Sequence, residues 1–286
     1  MGKRVAIVTG ANRGIGYQVA RQLLQQFQGD VIVTGKDTAK GRKACQHLER
    51  EGLKPIWHEL DVTQSASIRM FVDYVKDNYR GVDVLVSNAG TVFAKDSPLS
   101  MYRQAELTIN TNFKGGMSLL RYFLPLLRPH ARVVIVSSEL GVLSSLGPKL
   151  RKEIDMNHIN MYELEKLADR YLNAVKSKLW SEAGWPDRIL EAVSVLQNIL
   201  VHVVARDIRS DARRNMLVNA GCPGWTCTDQ MATHLDEKGC LAGVPARSPE
   251  DAATDITWLA LLPFGTESPN GNIVFKRQVL KNDWYV

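Results

Sequence analysis

Cysteine is scarce in this chain. There are four in 286 residues, Cys45, Cys222, Cys227 and Cys240, and their spacing matches neither a zinc site nor a disulfide framework. That excludes a bound structural metal and a cross-linked secreted scaffold, and it favours a reducing compartment. Long apolar runs are also missing: none approaches the ~18–20 residues of a membrane span, so no membrane association is expected. Blocks of like charge are absent. The net charge is +6, but Lys and Arg are spread along the chain, and no basic face with interleaved aromatics marks a nucleic-acid surface. No Pro/Gly/Ser-rich linker interrupts the sequence, so a single domain is expected. The start MGKRVAIVTG is too briefly apolar for a signal sequence, and Ala6 stands where a myristoylation signal wants Ser or Thr. The expected location is the cytosol.

What the chain does contain begins at Thr9. The stretch TGANRGIG, Thr9 to Gly16, directly follows the apolar run Val5-Ala6-Ile7-Val8 and precedes an amphipathic pattern of Ile15, Val19, Leu23, Leu24 and Phe27. This reads as a strand, a tight turn and a helix start, which is a phosphate-binding corner. Gly10 lets the chain turn off the strand, Gly14 lets backbone approach a pyrophosphate, and Gly16 lets the helix pack closely. The helix N-terminus offers N–H groups and a partial positive charge to the phosphates.

The spacing of these glycines resembles the short-chain dehydrogenase/reductase family, and four further motifs agree in order. Val84 to Gly90 (VLVSNAG) is similar to the family strand ending in NNAG, with Ser87 in place of the first Asn. Thr111-Asn112-Phe113 falls where the family keeps an Asn on its central helix. Val133 to Ser138 (VVIVSS) matches the strand carrying the active-site Ser, and Asn219 to Trp225 (NAGCPGW) matches the nicotinamide loop. Within the family, the segments GWP (Gly184 to Pro186) and CPGW and the long insert before Gly184 resemble the carbonyl reductases. The resemblance implies an α/β fold: one doubly wound Rossmann domain over residues 1–286, with a parallel, roughly seven-stranded sheet and an extra helical insert at about 140–185.

The second strand, Val31 to Thr34, ends in Gly35-Lys36-Asp37. At this distance past the glycine motif an acid would bind an NAD ribose and a base would meet the NADP phosphate. Lys36 takes the decisive place and Arg13 adds a second cation, which predicts NADPH as cofactor. By resemblance, Asn12 and Ile15 belong to the same phosphate loop, Asp61 accepts from the adenine amine, Val62 packs on the ring, and Asn88 and Gly90 border the ribose. Pro223, Gly224, Thr226 and Thr228 hold the nicotinamide side.

The family protonates its product with a Tyr hydroxyl, whose pKa of ~10 is lowered by a Lys four residues on that also binds the ribose. The pair should open the helix after Gly184-Trp185-Pro186, and at those positions stand Leu190 and Ser194. Leu190 has no proton to give, and the Ser194 hydroxyl carries no charge. A Tyr-x-x-x-Lys occurs elsewhere, Tyr162 to Lys166, opposite a helical stripe of Met161, Leu164, Ala168, Tyr171, Leu172, Val175 and Leu179. It is read as a surface pair. Ser138 matches the Ser that bonds the substrate carbonyl, and Asn112 matches the Asn that holds a relay water.

Candidate substrate residues are Phe93, Gln104, Leu140, Val142 and Trp225, whose apolar and aromatic character suits the quinones and aryl ketones the resemblance implies. The insert is expected to cover the face other members use for tetramer contacts, which implies a monomer. The expectation is thus an NADPH-dependent reductase of carbonyl or quinone substrates with impaired turnover. The alternative is a catalytically inactive NADPH-binding relative that acts as a sensor or binding partner. No metal and no nucleic acid enter either reading.

Overall fold

The computed structural model describes residues 2–280 apart from 230, 235, 237, 238 and 242. Its strands are β1 (Val5–Val8), β2 (Asp30–Gly35), β3 (Ile56–Glu59), β4 (Val82–Ser87), β5 (Leu127–Val136), β6 (Leu217–Cys222), β7 (Cys240–Leu241), β8 (Val244–Pro245), β9 (Ile273–Phe275) and β10 (Gln278–Val279). Strands β7 and β8 form a separate small hairpin; the others make one sheet in the order β3-β2-β1-β4-β5-β6-β9-β10. Seven strands are parallel. The sheet adds an eighth, β10, which folds back antiparallel along β9 and caps the edge.

The strands are apolar at nearly every position because both faces of the sheet are covered. In β1, Val5 and Ile7 enter the core on one face, while Ala6 and Val8 enter the core on the other. The first face carries helices α3 (Ser65–Tyr79), α5 (Gly116–Phe123) and α8 (Ile189–Asp207); the second carries α1 (Gly14–Gln26), α2 (Thr38–Arg50) and α9 (Pro249–Ala260). Between α3 and α5 in sequence, α4 (Met101–Thr108) continues into a π-helical stretch, Ile109–Gly115. The strand order reverses direction between β1 and β4, and a crevice opens at such a point beyond the carboxyl ends of the strands.

The insert consists of α6 (Pro148–Glu153) and α7 (Met161–Lys176). Asn160 and Glu163 form a reciprocal capping box at the start of α7, which fixes where the helix begins. Leu164, Leu167, Ala168, Tyr171 and Val175 are its buried stripe. Leu179 does not join that stripe: α7 stops at Lys176 and leaves Leu179 exposed. Tyr162 lies on the outside with 63% of its surface exposed, and the Lys166 ammonium sits 4.2 Å from its ring centroid. The pair is a surface cation–π contact.

The expectation that no segment could span a membrane needs one correction. Ile189–Ser210, α8 with its terminal turn, is long and apolar enough by length and composition. Its apolarity has another cause, since 72% of the window is buried inside the fold. A helix surrounded by sheet and neighbouring helices is hydrophobic all round.

Candidate active site

A cleft of about 750 Å³ lies at the reversal point, running from the glycine turn and the end of β2 to Ser138, Leu190 and the loop after β6. Its phosphate end is built by backbone that only glycine accommodates. Gly10 has φ +63°, and a Cβ there would stand 2.8 Å from the Ala89 Cα. Gly14 has φ +58°, and its missing Cβ opens on the cleft, with Thr228 Cγ2 the nearest atom at 3.6 Å. Gly16 is packed against the Asn88 side chain, which is bonded in turn to the carbonyls of Thr9 at 2.9 Å and Gly10 at 3.2 Å. Asn88 therefore braces the turn, in addition to bordering the cleft. Asn12, Arg13 and Ile15 line the same end, and Asn12 packs beside Gly35.

At the end of β2, Lys36 is exposed and lines the cleft together with Lys40. Asp37, the acid one position beyond, is the N-cap of α2. The Lys40 backbone N–H donates to it at 3.0 Å and holds its carboxyl below the usual range. Its charge is directed into the helix start, where anions are stabilised. Arg13 approaches Asp229 at 3.9 Å across the mouth. Asp61 takes the Thr63 N–H and hydroxyl on one carboxylate oxygen, Oδ1. Val62 packs beside Gly115 of the π-helical stretch. Both line the cleft.

The inner end brings together the remaining sequence candidates. Leu190 and Ser194 face the cleft from consecutive turns of α8. Ser194 is 1% exposed and its hydroxyl has no hydrogen-bond partner. Ser138, just past β5, accepts the Leu140 N–H on its hydroxyl at 3.2 Å. Asn112 spends its side chain on the loop after β4, accepting from Thr91 N–H at 2.7 Å and donating to the Thr91 carbonyl at 3.2 Å. A Cβ on Gly90 would stand 3.4 Å from that amide. Among the described residues no tyrosine or histidine lines the cleft, and the lysines that do are Lys36 and Lys40 at the opposite end.

In the loop after β6, Gly224 has φ +68° and is packed against Phe275. The Thr226 hydroxyl donates to the Gly224 carbonyl at 3.0 Å, so this side chain builds the turn. Thr228 lies over Gly14. Cys222 accepts the N–H groups of Glu139 at 3.3 Å and Gly224 at 3.4 Å, and burial pushes its thiol up to about 11. It stays protonated at neutral pH and is a weak nucleophile.

Of the substrate candidates, Phe93, Leu140 and Trp225 line the cleft. Gln104 does not; its amide turns back to the Leu99 carbonyl at 2.7 Å. Val142 packs against the core instead.

Among the residues at the site that escaped sequence reasoning, besides Lys40, two hold its surrounding segments in place. Arg247 holds the loop after β6 by donating to the Pro223 carbonyl at 3.1 Å, to Asp255 at 2.7 Å and to the Asp251 carbonyl at 2.8 Å. Gln197 lines the cleft and bonds the Asn112 carbonyl. Neither carries a motif for this role, because the segment each one braces, at Pro223 or at Asn112, lies 24 or 85 residues away.

The family model for short chain dehydrogenase matches residues 4–147. Carbonyl reductase [NADPH] 1 of Sus scrofa is 38% identical over 282 residues, 97% of this chain and 94% of that protein. The Homo sapiens protein of the same name is 37% identical over 282 residues, 97% of this chain and 98% of its own. Among solved structures, salutaridine reductase from Papaver somniferum aligns with a TM-score of 0.82 at 24% identity, covering 95% of this chain and 99% of that one. Menthone neomenthol reductase from Mentha piperita aligns with a TM-score of 0.75, also at 24% identity, over 95% and 98%. These two likenesses concern the fold. The sequence matches, together with the ordered motifs from Gly10 to Trp225, place the chain in the short-chain dehydrogenase/reductase family, with relatives of the carbonyl reductase type.

Proposed function

We propose that this chain binds NADPH and is a carbonyl-reductase-like oxidoreductase of ketones, aldehydes or quinones, with turnover impaired by Leu190 and Ser194. One observation carries the reading. The two side chains that should supply an acid and a cation are an isobutyl group and a neutral, buried hydroxyl, and both face the reacting end of the cleft.

The cleft fits the cofactor at its phosphate end. Gly14 leaves open space where a side chain would stand, and Lys36 and Arg13 offer charge for a ribose phosphate. Gly10, Asn12, Ile15 and Gly16 would form the rest of the pyrophosphate turn, Asp61 and Val62 would meet the adenine, and Asn88 and Gly90 the neighbouring ribose. Pro223, Gly224, Thr226 and Thr228 would form the nicotinamide side. When bound, the nicotinamide supplies a hydride. The Ser138 hydroxyl would then donate to the substrate oxygen, while Leu190 offers it no proton. Loss of a positioned general acid typically removes ~10²–10⁴ of rate. Phe93, Leu140 and Trp225 would wall an aromatic or apolar substrate.

The test is a titration of NADPH fluorescence followed by oxidation with menadione or isatin. Saturable binding with turnover about 10²–10⁴ below that of carbonyl reductases is expected. Turnover at the relatives' rate would overturn the impairment, and absence of binding would overturn the whole reading. Binding with no turnover at all favours the second reading, an inactive NADPH-binding relative that acts as a sensor or partner. The unpartnered Ser194 hydroxyl, where a cation should stand, is the observation on its side.

The same reading includes a monomeric, cytosolic protein. Its support is the insert, whose helix α7 packs against α4 and α8, and the two buried free thiols Cys45 and Cys222. Sedimentation of the purified chain and fractionation of cells test the two parts.

A further inference from the structure

Two amide side chains stand next to each other in the buried middle of α8. Gln197 is 6% exposed, and its Nε2 donates to the Asn112 carbonyl at 3.1 Å and to the Val136 carbonyl at 3.3 Å. Asn198 reaches elsewhere, to the carbonyls of Ser138 at 3.0 Å and Gly141 at 2.9 Å. A buried amide is costly unless its hydrogen bonds are made, so an apolar helix gains nothing from two of them unless they satisfy acceptors on other elements.

Those acceptors lie where regular structure ends or slips. Asn112 is inside the π-helical stretch, where the helical register has slipped, and Val136 is the last residue of β5. Backbone carbonyls at such places must find partners outside the regular ladder wherever that ladder does not supply one. Gln197 gives one hydrogen to each. The Asn112 side chain is in turn bonded to Thr91. A continuous chain of hydrogen bonds therefore runs from α8 through the π-helical stretch to the loop after β4, with a branch to the end of β5.

We propose that Gln197 is a positioning residue: its amide braces the π-helical stretch, the end of β5 and α8 against one another and so sets the shape of the inner end of the cleft. That end is separated from Lys36 by the spacing of three strands, from β5 to β2, roughly 14 Å. The brace thus bears more on the nicotinamide half of a dinucleotide than on the adenosine half, which the π-helical stretch meets through Val62 beside Gly115 and through the Thr91 bonds next to Gly90. This last step rests on the reading that the cleft takes NADPH.

The experiment compares Gln197→Leu, Gln197→Glu and Asn198→Ala with the unmodified full chain. Binding of NADPH and of adenosine 2′,5′-bisphosphate, which lacks the nicotinamide half, is measured by calorimetry. Amide hydrogen exchange is followed over residues 109–116 and 138–141. In both Gln197 variants, exchange over 109–116 should accelerate about tenfold or more, as expected when a buried carbonyl loses its donor. NADPH should weaken by about the same factor, while the bisphosphate fragment stays within about twofold. Asn198→Ala should instead accelerate 138–141. Gln197→Glu has the same shape with one donor group removed, and it serves where Gln197→Leu does not fold. Unchanged exchange over 109–116, or equal weakening of NADPH and the fragment, would overturn the proposal. Should the unmodified chain bind neither compound, the cofactor reading fails, and the exchange measurements still decide the brace.

Discussion

The amide nitrogen of Asn88 occupies the space that a Cβ on Gly16 would need. The same nitrogen donates to the carbonyls of Thr9 and Gly10, so it cannot move aside without releasing the turn. Gly16→Ala is therefore expected to push α1 off the end of β4. Overpacking of this kind costs about 1–3 kcal/mol. Thermal unfolding should show a lower Tm, and NADPH titration a weaker complex. An unchanged Tm would mean that the turn yields more easily than these contacts imply.

Lys36 should decide between the two nicotinamide cofactors. It is exposed at the end of β2, with Asp37 turned away into the start of α2. Lys36→Ala should weaken NADPH binding about tenfold, the effect of losing one charge-assisted contact at a solvated site, and leave NADH within about twofold. Equal losses for both cofactors would assign Lys36 a merely structural part.

Restoring the missing pair should restore chemistry. Leu190 and Ser194 lie one helical turn apart and both face the cleft, so Leu190→Tyr with Ser194→Lys would present a phenol and an ammonium on one side. Oxidation of NADPH with menadione should then rise by about 10²-fold or more. In contrast, Tyr162→Phe should change nothing, because Tyr162 lies on the outer side of α7. A double variant no faster than the unmodified chain would point to a second defect in the cleft.

Arg247 and Asp255 should matter to the loop after β6 more than to the rest of the fold. Asp255 is nearly buried and its carboxylate meets Arg247 at 2.7 Å. Asp255→Asn removes a charge-assisted bond worth about 1.5–3 kcal/mol. Exchange of amides in 223–228 should speed up, with the amides of β1 and β4 unaffected. Uniform acceleration across the sheet would show that the pair supports global stability instead.

One part of the alkaline pH dependence follows from the buried thiols. Burial raises both Cys45 and Cys222 from 9.0 to about 11. Above pH ~9 the unfolded chain loses thiol protons that the folded chain retains, so the stabilisation is complete below that value and declines as pH rises through 11. Denaturant midpoints measured from pH 8 to 11 should fall accordingly. Alkylation at pH 8 should mark Cys227, which is exposed, well before Cys222.

Much of this architecture is legible in sequence because its signals are local. Continuous apolar runs mark strands buried on both faces, and the glycines at 10, 14 and 16 answer to a backbone path set within eight residues. The insert's buried stripe follows helical periodicity up to the point where α7 ends. What local patterns missed depends on termination and on distance. Leu179 continues the period but lies past the last turn, β10 is only two residues long, and Gln104 satisfies a neighbouring carbonyl instead of reaching the cleft.

The amino-acid order alone determined the class of fold, the phosphate-binding turn, the basic residue after β2, and the absence of a phenol and an ammonium at positions 190 and 194. The folded chain brings Leu190 and Ser194, which the family resemblance puts at the catalytic positions, into one cleft with Ser138. It alone decided that Gln197 reaches the carbonyl of Asn112 and that Arg247 supports Pro223. Those contacts join segments that are 24 to 85 residues apart, and no periodicity or motif encodes a bond between groups that meet only once the sheet has closed its crossovers.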